Sequence, residues 1–449
     1  MDQSLASRVL PPITAALLLL AAFATHASTC FVTPAGSGAD NGSSWSNSAT
    51  LPIALANVSC TEIWAAAGIY RPTATSDRSI SFRVAAGVAL YGGFAGSEAL
   101  RTLRNPALNR TVLSGDIDGN DLGDNGIQVT TATIQGSNSY HVVYLDGTVV
   151  GHEITSSTVI DGFFITAGDA AGSGNDGDGG GLFCNASLVK PTAQCSPILR
   201  NIVFSGNRAR ITGGALQNWA IYGGSASPTL ENVTFRGNAV YDPGGTARGG
   251  AMYNEGYGGE SSPVLVNVTF ANNSASNTSS DAQGGAMFNS GYGGTSNPQL
   301  TNVTFTGNSA DYGGAIFNTA LNTGTCHPVL VNTLLWGNTA GVSGGPQIDE
   351  TNGAASTISY SLIEGGCPSG SICSTSPIAL DPRLGALQDN GGFVPTAALE
   401  PGSHAIDAGS DAACPPTDAR GITRPHGAHC DIGAYEATDP IFASGFETP

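Results

Sequence analysis

Between residues 180 and 350 the chain alternates short apolar runs with breaks rich in glycine and asparagine, and the alternation recurs. One element occurs five times: SPILRNIVFSGNRA (196–209), SPTLENVTFRGNAV (227–240), SPVLVNVTFANNSA (262–275), NPQLTNVTFTGNSA (297–310) and HPVLVNTLLWGNTA (327–340). Its prolines, Pro197, Pro228, Pro263, Pro298 and Pro328, step by 31, 35, 35 and 30 residues. A second element precedes each copy: GGLFCN (180–185), GGALQN (213–218), GGAMYN (249–254), GGAMFN (284–289) and GGAIFN (313–318), with a degenerate GGPQID at 344–349. A period of roughly 20–50 residues marks a solenoid, whose units bury their apolar faces only by stacking on one another.

The unit is β rather than helical. Val, Thr, Phe and Leu fill the runs, Gly and Asn bound them, and Pro stands where a strand begins and no N–H is needed. Alternation points Leu230, Leu265 and Leu300 inward, and likewise the pairs Val233/Phe235, Val268/Phe270 and Val303/Phe305. Stacking at about 4.8 Å per coil predicts a column of Phe204, Phe235, Phe270 and Phe305, ended by Leu335. Asn201, Asn232, Asn267, Asn302 and Asn332 fall at a bend, where each amide can serve the backbone and pair with its neighbours above and below. Three strands per repeat make one coil of a parallel β-helix.

Upstream the pattern loosens into strand runs such as TEIWAAAGIY (61–70), RSISFRVAAGVALYGGF (78–94) and STVIDGFFITAGD (157–169). The segment 51–57 reads as a short amphipathic helix that shields the first coil, since an open solenoid end presents unpaired strand edges. The fold class expected is therefore all-β: a right-handed parallel β-helix solenoid with capped ends and a small C-terminal β-rich region.

Composition narrows the function. Charged residues are only 11% of the chain against a typical ~25%. Net charge is −18, and Lys190 is the one lysine. A phosphate-tracking surface needs clustered Lys and Arg, so nucleic acid is excluded as a partner. Residues 13–24 (ITAALLLLAAFA) form an apolar run preceded by Arg8, too short to span a bilayer and followed by small residues; this reads as a secretory signal peptide over 1–27. No other segment is apolar enough to cross a membrane as a helix. Export places the nine cysteines where disulfides persist. Proximity suggests Cys30 with Cys60, Cys184 with Cys195, Cys367 with Cys373 and Cys414 with Cys430, leaving Cys326 free, although sequence alone does not fix connectivity.

With these motifs the chain resembles bacterial right-handed parallel β-helix proteins of the pectin-lyase-like superfamily. The alternating GGA(I/M)xN and NVTFxGN elements are similar to polymorphic outer-membrane protein repeats. The segment from DPRLGALQDNGG to HCDIGAYE (381–436) resembles the choice-of-anchor Q domain that follows such helices. The resemblance divides the chain into a signal peptide (1–27), a β-helix (28–380), a C-terminal domain (381–436) and a tail (437–449). It implies a protein exported to the surface or surroundings of a Gram-negative bacterium. Its superfamily spans lyases, hydrolases and adhesins, so activity has to be argued from the site.

The signatures of polygalacturonase chemistry, an Asp-Asp pair with Asn-Thr-Asp and Gly-His-Gly, do not occur. Arg200, Arg208, Arg210, Arg236 and Arg248 lie in the repeats without an accompanying Asp/Glu cluster, which speaks against a pectate-lyase centre. No catalytic residue is assigned. The loop GDIDGNDLGDNG (115–126) sets Asp116, Asp118, Asn120, Asp121 and Asp124 at spacings that suit Ca²⁺, although Asp121 stands where an EF-hand needs Gly. Ser403, His404 and Asp407 do not make a triad, because the resembling family carries Pro at the position of His404. His426 and His429 flank a cysteine expected in a disulfide. Tyr222, Tyr257 and Tyr292 recur in loops after successive GGAxxN strands, and stacking would align them as a platform for a polysaccharide or a surface protein. The reading is an exported, non-catalytic surface or secreted β-helix that binds a glycan or a partner through its loop column. The alternative is a Ca²⁺-dependent polysaccharide lyase.

Overall fold

The computed structural model describes residues 28–187, 193–279, 281–341, 344–375 and 377–438. The expected signal peptide lies outside them, as does the tail beyond residue 438. Three parallel sheets of sixteen, eight and six strands lie along the stack, the third confined to residues 169–340, and each strand pairs with its counterpart in the neighbouring coil. That is a parallel β-helix, the class the repeats predict, with the right-handed hand that parallel crossovers take.

One coil shows how the sequence builds it. Leu216–Ile221 lies in the second sheet. Thr229–Arg236 lies in the first sheet and bends at Asn232, whose φ is 54°. Ala239–Asp242 lies in the third. Met252–Tyr257 then returns to the second sheet, one coil on.

The GG dipeptides make this last return possible. The first glycine takes positive φ, as Gly213 and Gly249 do at 58° and 64°. The second lies against the next coil, so that a Cβ on Gly250 would run into the carbonyl of Gly285.

Like stacks on like inside. Phe204, Phe235, Phe270 and Phe305 are in register and fully buried. Their rings stack within 4° of parallel, with centroids 4.7–4.8 Å apart. Leu335 follows Phe305 in register, as the sequence predicts.

Three asparagine ladders accompany the column. The expected one, at the bends, links Asn232 to Asn201, Asn267 to Asn232 and Asn332 to Asn302. Its rung between Asn267 and Asn302 is missing, because Asn302 instead donates to the carbonyls of Asp431 and Gly433. Two further ladders are deeper. Asn207, Asn238, Asn273, Asn308 and Asn338 follow the GN turn, and Asn218, Asn254, Asn289 and Asn318 close each GGAxxN element.

The helix Leu51–Ala56 covers the first coil, burying Leu51 and Ala54. At the far end, the loop closed by Cys367–Cys373 lies over the last strand of the second sheet, where Ser371 donates to Glu350. All four disulfides expected from proximity are present, and Cys326 is free and buried.

Residues 381–437 contribute one antiparallel pair, Leu384–Gln388 with Thr396–Leu399, a 3-10 turn at Asp411–Ala413, and otherwise loops. This segment folds back along the outer face of the first sheet. Thr234 donates to the carbonyl of Pro395, Asn267 to that of Thr417 and Asn332 to that of Ser410. Phe164, Val203, Val394 and Ala434 close one apolar seam, and Leu334, Leu362, Leu399 and Ile432 another. Arg424 is buried beside Glu436 at 3.2 Å and holds the carbonyls of Asp431 and Gly433. With this part of the first sheet covered, the outer face of the second sheet stays open along these coils.

Candidate functional site

On the second sheet the period of two sends Met252 and Asn254 inward and Tyr253, Glu255 and Tyr257 outward. Register repeats this coil after coil. Tyr253, Phe288 and Phe317 form one outward row, with centroids 5.1 and 5.3 Å apart and ring planes within 7° of parallel. Glu255, Ser290, Thr319 and Thr351 form the next row. Together these rows floor a groove along the coil axis.

One section of the groove, about 580 Å³, lies between Arg248 and Gln283 on one side and Tyr257, Tyr292 and Leu321 on the other. It runs on into a second section of about 730 Å³ beside Tyr312, Asp349 and Glu364, and both share Gln283, Phe317 and Thr351.

The three tyrosines singled out in the sequence are brought together. Tyr257 and Tyr292 stack at 4.9 Å and 12°, and Tyr222 meets Tyr257 edge-on at 5.7 Å. Tyr222 is 54% exposed and Tyr257 40%, so their rings are open to solvent. Tyr257 and Tyr292 form the groove's rim, and Tyr222 stands one coil beyond it.

Sequence reasoning missed the floor. The aromatic residue sits at the fifth position of GGAMYN, GGAMFN and GGAIFN, where the repeat displays it plainly. A strand buried on both faces gives no local sign of which face is outward.

Glu255 is the unusual polar group. It is only 8% exposed, and its carboxylate accepts hydrogen bonds from the Tyr253 hydroxyl and the Ser290 hydroxyl. Burial raises its pKa above the ordinary carboxylate range, against those two hydrogen bonds and the nearby Arg248. Burial also raises the Tyr253 phenol well above its usual value. The Arg248 guanidinium lies over the Phe288 ring, 5.5 Å from its centroid, and its Nε donates to Gln283. Along the outward rows the next carboxylates are Asp146 and Asp349, each three strands from Glu255. That separation is roughly 14 Å at about 4.8 Å per strand. Paired-carboxylate glycoside cleavage works across ~5–9.5 Å.

The acidic loop lies elsewhere, and its carboxylates are taken up by its own backbone, by residues 135–138 and by Arg71. Asp116 accepts from the backbone of Gly119 and Asn120, and Asp118 from Ser137 and the Asn120 amide. Asp121 accepts from Gln135 and Asn138, and Asp124 from the Asn125 amide. Among the described residues, no group of three or more His, Cys, Asp and Glu side chains is gathered as a metal site. Ser403, His404 and Asp407 form no relay: His404 Nδ1 pairs with the Asp381 carbonyl. His429 Nδ1 lies 2.8 Å from Asp411, and Cys430 is in its disulfide.

A second buried carboxyl makes stability depend on pH. Asp178, 7% exposed, accepts from the Thr212 hydroxyl, and burial pushes its pKa up to about 7. The unfolded chain loses this proton near pH 4, whereas the folded chain keeps it until about pH 7. Folded stability therefore falls as pH rises through that window and is level above it. Asp178→Asn keeps the acceptor and removes the titration. In chemical denaturation across the window, the variant's stability should stay flatter with pH than that of the parent and exceed it above pH 7, by up to about 4 kcal/mol.

No protein-family model matches the chain, and no curated protein matches it. Among solved structures, the crystal structure of pectate lyase Pel9A is similar in outline, with 14% identity over 91% of this chain and 96% of that one and a TM-score of 0.43. The coil geometry itself makes this chain a parallel β-helix protein. Among the described residues, no helix is long and apolar enough to cross a membrane.

Proposed function

We propose that the protein is an exported, non-catalytic β-helix that binds a glycan along the groove of its second sheet, with Tyr222, Tyr257 and Tyr292 as the exposed contact surface. One observation carries this reading: Tyr257 and Tyr292 stack at the rim of the groove and Tyr222 meets Tyr257 edge-on, with the Tyr222 and Tyr257 rings open to solvent. Aromatic faces suit the apolar faces of sugar rings while hydroxyls and amides meet their edges. Four disulfides fit a chain that folds in an oxidising compartment.

Display at a Gram-negative cell surface, a helix built of polymorphic outer-membrane-type repeats over 28–380, and a choice-of-anchor role for 381–436 are parts of the same proposal, supported by the repeats and the terminal motif. Ca²⁺ at the loop of Asp116, Asp118, Asn120, Asp121 and Asp124 would add rigidity far from the groove. Calorimetric titration with the metal alone tests that point.

The main test is a glycan array followed by calorimetry. Replacing Tyr222, Tyr257 and Tyr292 together with Ala should abolish measurable binding while leaving the β circular-dichroism spectrum unchanged. Unchanged binding by the triple variant would remove the tyrosine platform. Unsaturated products from an acidic polysaccharide that vanish with chelator would replace the whole reading with a Ca²⁺-dependent lyase.

A further inference from the structure

We propose that the cavity between the acidic loop and the C-terminal segment is an anion site, in which Arg110 and Arg236 clamp the carboxylate of a small acid whose apolar body lies against Phe164 and Phe393. The inference is independent of the groove on the second sheet and of its ligand.

Two unpaired cations converge there. The cavity, about 240 Å³, is walled by the loop at Asp124, by the first sheet at Phe164 and by the C-terminal segment at Asp389 and Phe393, and both guanidiniums line it. Arg110 directly precedes the strand Thr111–Ser114, and its carbonyl accepts from the backbone of Gly68. Arg236 ends the strand Thr229–Arg236, and its Nε donates to the buried hydroxyl of Ser205. Thr166, Ser205, Ala271 and Thr306 stand in its row in the neighbouring coils; they are small, and Arg236 is the charged exception among them. Among the described residues, no carboxylate lies within ion-pair distance of Arg110 or Arg236, whereas Arg104 and Arg200 pair with Asp161 and Glu231 of the same sheet. The two acids that line the cavity are engaged in their own turns: Asp124 accepts from the Asn125 amide and Asp389 from the backbone of Gly391.

Each guanidinium makes the other more costly to hold. Burial and the neighbouring Arg110 both push the Arg236 pKa below its ordinary value. Arginine nonetheless keeps its proton in a protein, so relief comes from an anion and not from deprotonation. A carboxylate matches the planar N–H fork of one guanidinium, and a second guanidinium serves its remaining lone pairs. The walls select what the carboxylate is attached to. Arg110 lies over the Phe164 ring, 5.9 Å from its centroid, and Phe393 meets Phe164 edge-on at 5.3 Å. Ile127 and Pro395 extend this apolar lining. A hydrocarbon body gains by covering these groups, which a bare oxyanion cannot do. Because the walls come from three parts of the chain, an occupied site also ties the C-terminal segment to the helix, beside the hydrogen bond from Thr234 to Pro395.

The experiment is calorimetric titration of the full chain with benzoate, acetate and inorganic phosphate at fixed ionic strength. Benzoate should bind as a single molecule per chain, at least about tenfold more tightly than acetate or phosphate. Arg110→Gln, at an exposed position, and Arg236→Gln should each weaken benzoate by at least about tenfold. Benzoate should also raise the denaturation midpoint of the parent by more than that of Arg110→Gln, because only an intact clamp links binding to folding. Phosphate or acetate binding as tightly as benzoate would overturn the assignment of an acid with an apolar body. No binding of any of the three at millimolar concentration, or benzoate binding unchanged in either variant, would overturn the site itself.

Discussion

Phe270→Ala should unfold at a markedly lower denaturant concentration than the parent, with a loss of about 3–5 kcal/mol. Phe270 is fully buried and lies between Phe235 and Phe305, 4.7 Å from each. Truncation removes ring contacts on both sides at once. The neighbouring coils are fixed by their own strand pairing, so they cannot collapse into the cavity. Tyr257→Ala, on the exposed rim of the second sheet, serves as the control and should cost within about 1 kcal/mol. Equal losses for the two variants would mean that the column is not the core of the stack.

Asn273→Ala should be nearly as damaging, although it removes no apolar surface. The Asn273 side chain is fully buried; its Oδ1 accepts from the backbone and amide of Asn238, and its Nδ2 donates to Phe235 O and Asn308 Oδ1. Alanine leaves at least an N–H of Asn238 and the carbonyl of Phe235 without partners, at about 1–3 kcal/mol each. Equilibrium denaturation should therefore show a loss of at least about 2 kcal/mol. Asn273→Asp should fare no better, because it loses the donor and buries a charge. A loss within about 0.5 kcal/mol would show that the ladder only decorates the turn.

Much of this architecture can be read from residue spacing. The Pro-to-Pro period, the Phe column and the Asn bends follow from repetition, because identical positions in a stacked fold must touch. The disulfides also followed from proximity along the chain, the pairs being only 30, 11, 6 and 16 residues apart. Less legible was whatever depends on which side of a strand faces out. The bend asparagines stood out because they break the apolar run. The GN and GGAxxN asparagines looked like ordinary turn residues until their amides were seen to meet. In NVTF the threonine is the outward position, and nothing local signals that Thr234 and Thr304 meet residues 395 and 434, more than a hundred positions away. Glu255 was invisible for a similar reason. Its isolation from solvent comes from Tyr253 beside it and Ser290 in the next coil, not from its immediate sequence.

The returning C-terminal segment has a consequence for how such a molecule could change in length. A solenoid on its own tolerates the insertion of a whole unit, because each unit touches only its neighbours. Here Pro395, Thr417, Asp431 and Ser410 are matched to Thr234, Asn267, Asn302 and Asn332 at fixed heights. An extra storey placed between Asn232 and Asn332 would shift every rivet above it out of line. The strap thus acts as a gauge of storey number, and lineages that lengthen the tower would have to lengthen the strap in step.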